Sequence, residues 1–70
     1  MHINTAIRRV KKLAKEFSDS DTWEITRNWS NFSPTWEAYV GTEKGTFAKG
    51  RTLETTIKRL ENKLRGLNEN

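Results

Sequence analysis

Two stretches of the chain repeat their apolar residues at helical spacing, and the stretch between them alternates. From Ile3 to Phe17 the apolar positions are Ile3, Ala6, Ile7, Val10, Leu13, Ala14 and Phe17. This i, i+3, i+4, i+7 pattern marks one stripe of an amphipathic helix, predicted over about residues 4–18 with Asn4 or Thr5 as its N-cap. Ser18-Asp19-Ser20-Asp21 ends it with turn-forming residues. Near the other end of the chain Leu53, Ile57, Leu60, Leu64 and Leu67 step by four and three, which predicts a second helix over about 52–66. Thr52 is its N-cap and Gly66 its stop, and residues 67–70 are expected to fray.

Between the helices the period falls to two. Trp23, Ile25 and Trp29 point one way and Glu24, Thr26 and Asn28 the other, so about 22–29 reads as a half-buried strand. Ser30-Asn31-Phe32-Ser33-Pro34 reads as a turn, because Pro34 has no amide to give a ladder. A second strand over about 35–41 sets Trp36, Ala38 and Val40 against Glu37 and Tyr39. Gly41-Thr42-Glu43-Lys44-Gly45 is a hairpin loop, followed by a third strand over about 45–49. A bulge in that loop would reverse the third strand, so the pattern leaves open whether Phe47 or Ala48 faces inward. Short loops favour an antiparallel meander. The fold class expected is therefore α+β, in the order α-β-β-β-α, with two helices packed on one face of a three-stranded antiparallel sheet. At 70 residues the chain makes a single domain, 1–70, with a small core.

Composition narrows the chemistry. With no Cys and His2 as the one His, the chain has no disulfide, no thiol nucleophile, and neither a Cys- nor a His-based metal cage. No metal and no cofactor are expected. Asp19 and Asp21, with Glu16, form a D-x-D string that lacks the remaining ligands of a calcium loop and reads as a capping turn. Glu24 and Glu37 lie on an open sheet face with no pocket to act on, so catalysis is not expected. An apolar run of spanning length and a secretory h-region are both lacking, so no membrane partner is expected and a cytoplasmic location is.

Charge changes the picture most. Lys and Arg total 13 against 9 Asp and Glu, a net of +4. Residues 1–17 hold five bases and one acid, residues 18–48 two bases and five acids, and residues 49–70 six bases and three acids. The helices are basic and the sheet is acidic. On the first helix Arg8, Lys11, Lys12 and Lys15 share an arc of about 100° opposite the apolar stripe, where like charges at i+3 and i+4 repel. A solvated face is the simplest reading of such charges. Their cost points instead to an anionic partner, first of all nucleic acid. Lys49-Gly50-Arg51-Thr52 places two bases and a Gly before a helix N-terminus, where an anion is favoured; the Gly would let a phosphate approach the backbone, although a capped strand-to-helix corner alone would explain Gly50 and Thr52. Trp23, Trp29 and Trp36 are assigned to the core. Phe32 in the turn and Tyr39 on the polar face are candidate partner contacts.

The order α-β-β-β-α in about 65 residues resembles the double-stranded-RNA-binding domain. That resemblance implies a grip on RNA through helix one, the first hairpin loop and the start of helix two. Here those places hold Arg8, Lys11, Lys12 and Lys15; Asn31-Phe32-Ser33-Pro34; and Lys49-Gly50-Arg51, with Lys58 further along. Ser33-Pro34-Thr35-Trp36 stands where the family has Gly-Pro-x-His, and Thr55-Thr56 where it has an Ala pair. The stretch 49–57 also resembles the strand-to-helix corner of HicB-type antitoxins and of arm-binding domains in phage integrases. The latter read DNA with the open sheet face, a use that Glu24 and Glu37 oppose. In size the chain resembles small phage or mobile-element accessory proteins. The function expected is a non-enzymatic module that binds the phosphates of duplex RNA or DNA with low specificity. The alternative is a phage-type interaction module that regulates or inhibits a host protein.

Overall fold

The computed structural model describes residues 1–30 and 33–66, without the side chains of residues 29, 30 and 33. Phe32, Leu67 and the side chain of Trp29, each given a role above, lie outside that description. The order is α1 (Ile3–Phe17), β1 (Trp23–Ser30), β2 (Ser33–Val40), β3 (Thr46–Gly50) and α2 (Leu53–Leu64). The strands form one antiparallel sheet in the order β1-β2-β3. α1 lies on β1 and β2, α2 on β2 and β3, and the two helices touch each other. Both helices therefore cover the same face, and the topology is compatible with that of the double-stranded-RNA-binding domain.

α1 starts earlier than its cap-forming residues suggest. His2 is the N-cap, its Nδ1 accepting the Asn4 N–H at 3.1 Å, and Asn4 and Thr5 fall inside the first turn. At the other end Ser18 is a buried hub. Its Oγ donates to Gly41 O at 2.8 Å and accepts the N–H groups of Ser20 and Thr22, both at 3.3 Å. One hydroxyl thus ties the end of α1 to the end of β2 and the entry to β1.

The register settles the third strand. Val40 pairs with Thr46, Ala38 with Ala48 and Trp36 with Gly50, so Ala48 is buried and Phe47, 46 % exposed, stands on the open face. Gly45 closes the preceding loop at φ 73, with its N–H on Thr42 O. β2 begins at Ser33, inside the segment expected to turn, and takes Pro34 with it. The proline costs no ladder bond. Its parity is that of Trp36, Ala38 and Val40, whose backbone groups face β3, and β3 has already ended at Gly50, opposite Trp36.

Ala6, Val10, Leu13 and Ala14 of α1, Ala38, Val40 and Ala48 of the sheet, and Leu53, Ile57 and Leu60 of α2 make the core. Its centre is aliphatic and rich in alanine, which lets the helices sit close to the sheet. Trp23 and Trp36, assigned to the core by parity, are half-buried and pack around its perimeter with Phe17, Ile25 and Leu64. Arg27 shares their face, its guanidinium 5.4 Å from the Trp36 ring centroid.

The tightest contact lies where β3 meets α2. A Cβ on Gly50 would stand 2.7 Å from Thr56 Oγ1 and 3.1 Å from Thr56 N. Thr56 cannot yield, because it is buried and its hydroxyl donates to Thr52 O at 2.7 Å. Gly50→Ala is expected to cost about 1–3 kcal/mol by overpacking. Gly66→Ala, in open space but at φ 71, should cost about 1–2 kcal/mol through backbone strain alone. Denaturant titrations check this: only Gly50→Ala should regain stability when combined with Thr56→Ala, which removes the Oγ1 that the new Cβ would meet.

Candidate nucleic-acid interface

The helices are joined along a seam of opposite charges. Arg9 lies 3.7 Å from Glu61, and Arg65 lies 3.1 Å from Glu16 and 3.6 Å from Glu61. The Arg65 guanidinium also sits 5.5 Å from the Phe17 ring centroid. Each pair is well exposed and worth little alone. Their order sets the geometry: Arg9 precedes Glu16 as Glu61 precedes Arg65, so the helices run in the same general direction. Glu16, the one acid on α1, is spent on Arg65 of the other helix. Among the described residues it forms no ion pair with the bases of its own helix.

Arg8, Lys11, Lys12 and Lys15 are all exposed and form no ion pair among the described residues. Lys12 borders the seam. Arg8 and Lys15 point away from the sheet, and Lys11 leans to the flank opposite α2, as the helical rotation requires.

The second group gathers at the β3–α2 edge. Thr52 caps α2, its Oγ1 accepting the Thr55 N–H at 3.1 Å. Lys49 and Arg51 are exposed on either side of Gly50. The glycine does not open the backbone to a ligand, as the sequence reading allowed. It lies on the covered face, buried beneath the first turn of α2, and the space of its missing Cβ is filled by Thr56. Beside this corner runs an open groove of about 670 Å³, lined by Lys49, Thr55, Lys58, Arg59, Asn62 and Lys63. A smaller depression of about 420 Å³ adjoins it, where Thr35, Gly50 and Arg51 join Lys49, Thr55 and Arg59. Among the described residues no carboxylate lines either one.

Arg59 and Lys63 were not singled out from the sequence, where they read as ordinary solvated positions. Each does a definite job. Arg59 Nη1 donates to Lys49 O at 2.9 Å, and Lys63 Nζ donates to Phe47 O at 2.9 Å while lying 5.5 Å from the Phe47 ring centroid. They cap the outer edge of β3 and bring two more charges to the groove. Their spacing of four, one-quarter turn from the Leu53–Leu60 stripe, was the available signal.

The predicted bases thus fall on two neighbouring surfaces. Arg8, Lys11, Lys12 and Lys15 lie on α1; Lys49, Arg51 and Lys58 lie at the groove with Arg59 and Lys63. α1 makes no contact with β3. The open sheet face carries the acids, already engaged: Thr26 donates to Glu24 at 2.7 Å and Asn28 to Glu37 at 3.2 Å. Glu24 faces Tyr39 across the ladder and Glu37 faces Thr26, so the two carboxylates are not a facing pair. Tyr39 is half-buried, its ring within 3.2 Å of the position a Gly45 Cβ would take.

No protein-family model matches the chain, and no curated protein or solved structure matches it at a significant level.

Capping and charge at the corner are separable by substitution. Thr52→Ala should cost about 1 kcal/mol of stability. Lys49→Ala with Arg51→Ala should stay within about 0.5 kcal/mol, as exposed changes do, and should lower retention on heparin. A double variant that melts much earlier yet elutes from heparin like the parent would make the two bases structural.

Proposed function

We propose that this chain is a non-enzymatic nucleic-acid-binding module, similar in plan to the double-stranded-RNA-binding domain. It holds duplex RNA or DNA by the phosphates, through Arg8, Lys11, Lys12 and Lys15 on one side and Lys49, Arg51 and Lys58, joined by Arg59, on the other. The observation that carries this reading is the distribution of partners. The acids of the helices are consumed in the seam or leave the groove untouched, and the outward bases form no ion pair among the described residues. Such a surface gains by releasing counterions from a polyanion and reads little sequence. The acidic open face of the sheet turns away from the polymer.

Electrophoretic shifts with duplex RNA, duplex DNA and single strands, repeated over a range of salt, test it. If four phosphates are neutralised, the logarithm of affinity should fall against that of salt with a slope of about −3.6 on a duplex. Lys12→Glu with Lys15→Glu should weaken binding to all sequences alike and flatten that slope. A chain that binds no nucleic acid at low salt but captures one host protein would replace this reading with that of an interaction module.

A further inference from the structure

Among the described residues Phe47 is the one large apolar side chain of the sheet left exposed, at 46 %. A single exposed ring is ordinary; its surroundings here are not. Lys63 Nζ donates to Phe47 O at 2.9 Å and lies 5.5 Å from the centroid of the ring. Arg59 Nη1 donates to Lys49 O at 2.9 Å. Two cations of α2 are thereby held along the outer edge of β3, and each keeps further N–H groups for an acceptor outside the chain. In an antiparallel ladder a residue's N–H and C=O turn to the same side, so the Phe47 and Lys49 amides face that edge as well.

Strand parity adds a third cation. Lys49 stands two residues from Phe47, on the same open face and about 7 Å along the strand. β3 itself carries no acid. The acids of the open face stand on β1 and β2, and Glu37, opposite Lys49, accepts from Asn28. The basic groove has Lys49 and Lys63 in its lining and no carboxylate among the described residues. On the far side of Lys63 a shallow depression holds one acid and one more base, Glu43 and Lys44.

We propose that this margin of β3 binds unpaired nucleotides: the phosphates of a single strand run along Arg59, Lys63 and Lys49, and a base stacks on the Phe47 ring. The inference rests on the proposed function and narrows its ligand to a duplex that carries a single-stranded extension. The cations call for an anion, and the groove lining offers it no competing carboxylate. The ring calls for a flat apolar face. Inside a duplex the faces of the bases are taken up by stacking on each other, so Phe47 finds one only on an unpaired nucleotide. A basic track with an aromatic platform is the arrangement that holds single strands without reading their sequence. Tyr39, half-buried and opposite Phe47 in the ladder, extends the platform. α1 makes no contact with β3, so the duplex on α1 and the extension on β3 occupy separate surfaces.

Fluorescence anisotropy with three probes of one duplex sequence, as DNA and as RNA, tests this: blunt, with a short unpaired extension, and with an abasic extension of the same length. The abasic probe keeps the phosphates and lacks the bases. The intact extension should bind at least about fivefold more tightly than the abasic one, the effect of one stacked base. Phe47→Leu should abolish that difference while binding the blunt duplex like the parent, and Phe47→Trp should keep it. Thermal melts of both variants should match the parent, because the ring lies outside the core. Equal affinity for intact and abasic extensions, or a Phe47→Leu variant that retains the difference, would overturn the proposal. A Phe47→Leu variant that loses affinity for all three probes by one factor would overturn it too, since the ring would then be structural. Binding of the blunt duplex with no gain from either extension would overturn the inference and leave the proposed function standing. A chain that binds none of the probes at low salt would overturn both.

Discussion

The close approach of α2 to β3 at Gly50 is the constraint on which the rest of the helix-covered face depends. Gly50 lies on the inner side of the last strand, and Thr56 occupies the room its side chain would need. The Thr56 hydroxyl bonds back to Thr52 O, and Thr52 caps the same turn. The first turn is thereby fixed in position and direction within a few residues of the sheet. Everything further along α2 inherits that placement: Ile57 and Leu60 in the core with Ala48 and Val40, and Arg59 and Lys63 over the strand edge. The groove and its charges are consequences of a packing requirement.

Much of this was legible in the sequence. The stripes of α1 and α2 and the alternation of β1 and β2 specify α-β-β-β-α with both helices on one face, because each apolar surface needs a cover and one arrangement covers all three. The parity of β3 was not legible. Phe47 is the larger and more apolar of the two candidates, and hydrophobicity alone favours it inside. The loop Gly41–Gly45 decides otherwise by setting Thr46 opposite Val40, and Ala48 fits beneath a helix that sits too close for a phenyl ring. The same crowding explains the tryptophans. Parity puts Trp23 and Trp36 on the correct face, but the alanine-rich centre has no room for an indole, so they pack around its rim.

The candidate interface was less legible, for a different reason. Charge per segment located the basic helices, but a helical wheel does not show which base meets a partner from another element. Arg9 and Arg65 look like members of the basic face and are spent on Glu61 and Glu16. Arg59 and Lys63 look like solvated charge and stand against backbone carbonyls of β3. Gly50 offers room for a ligand in the sequence and is room for Thr56 in the fold. Each of these assignments turns on a contact between α2 and either α1 or β3, and spacing along one element does not name the partner on another.

What remains after those pairings is unequal in energetic terms. Arg8–Lys11, Arg8–Lys12, Lys11–Lys15 and Lys12–Lys15 are like charges one turn apart, each destabilising α1 by about 0.2–0.5 kcal/mol at low salt. Glu16 could offset part of this and is turned to Arg65 instead. In a chain of this length, with ten apolar residues in its buried core among the described residues, a combined cost of about 1–2 kcal/mol is a substantial share of a net stability of about 5–15 kcal/mol. A solvated polar face needs no such concentration of one sign, since alternating glutamate and lysine keeps a helix equally soluble while stabilising it. The bases of the groove show the same economy: acids stand on the sheet face and in the seam, none among the lining. A polyanion reverses the sign of this repulsion, because each base that meets a phosphate loses its conflict with its neighbours. The face that weakens the isolated helix is the face best suited to hold one.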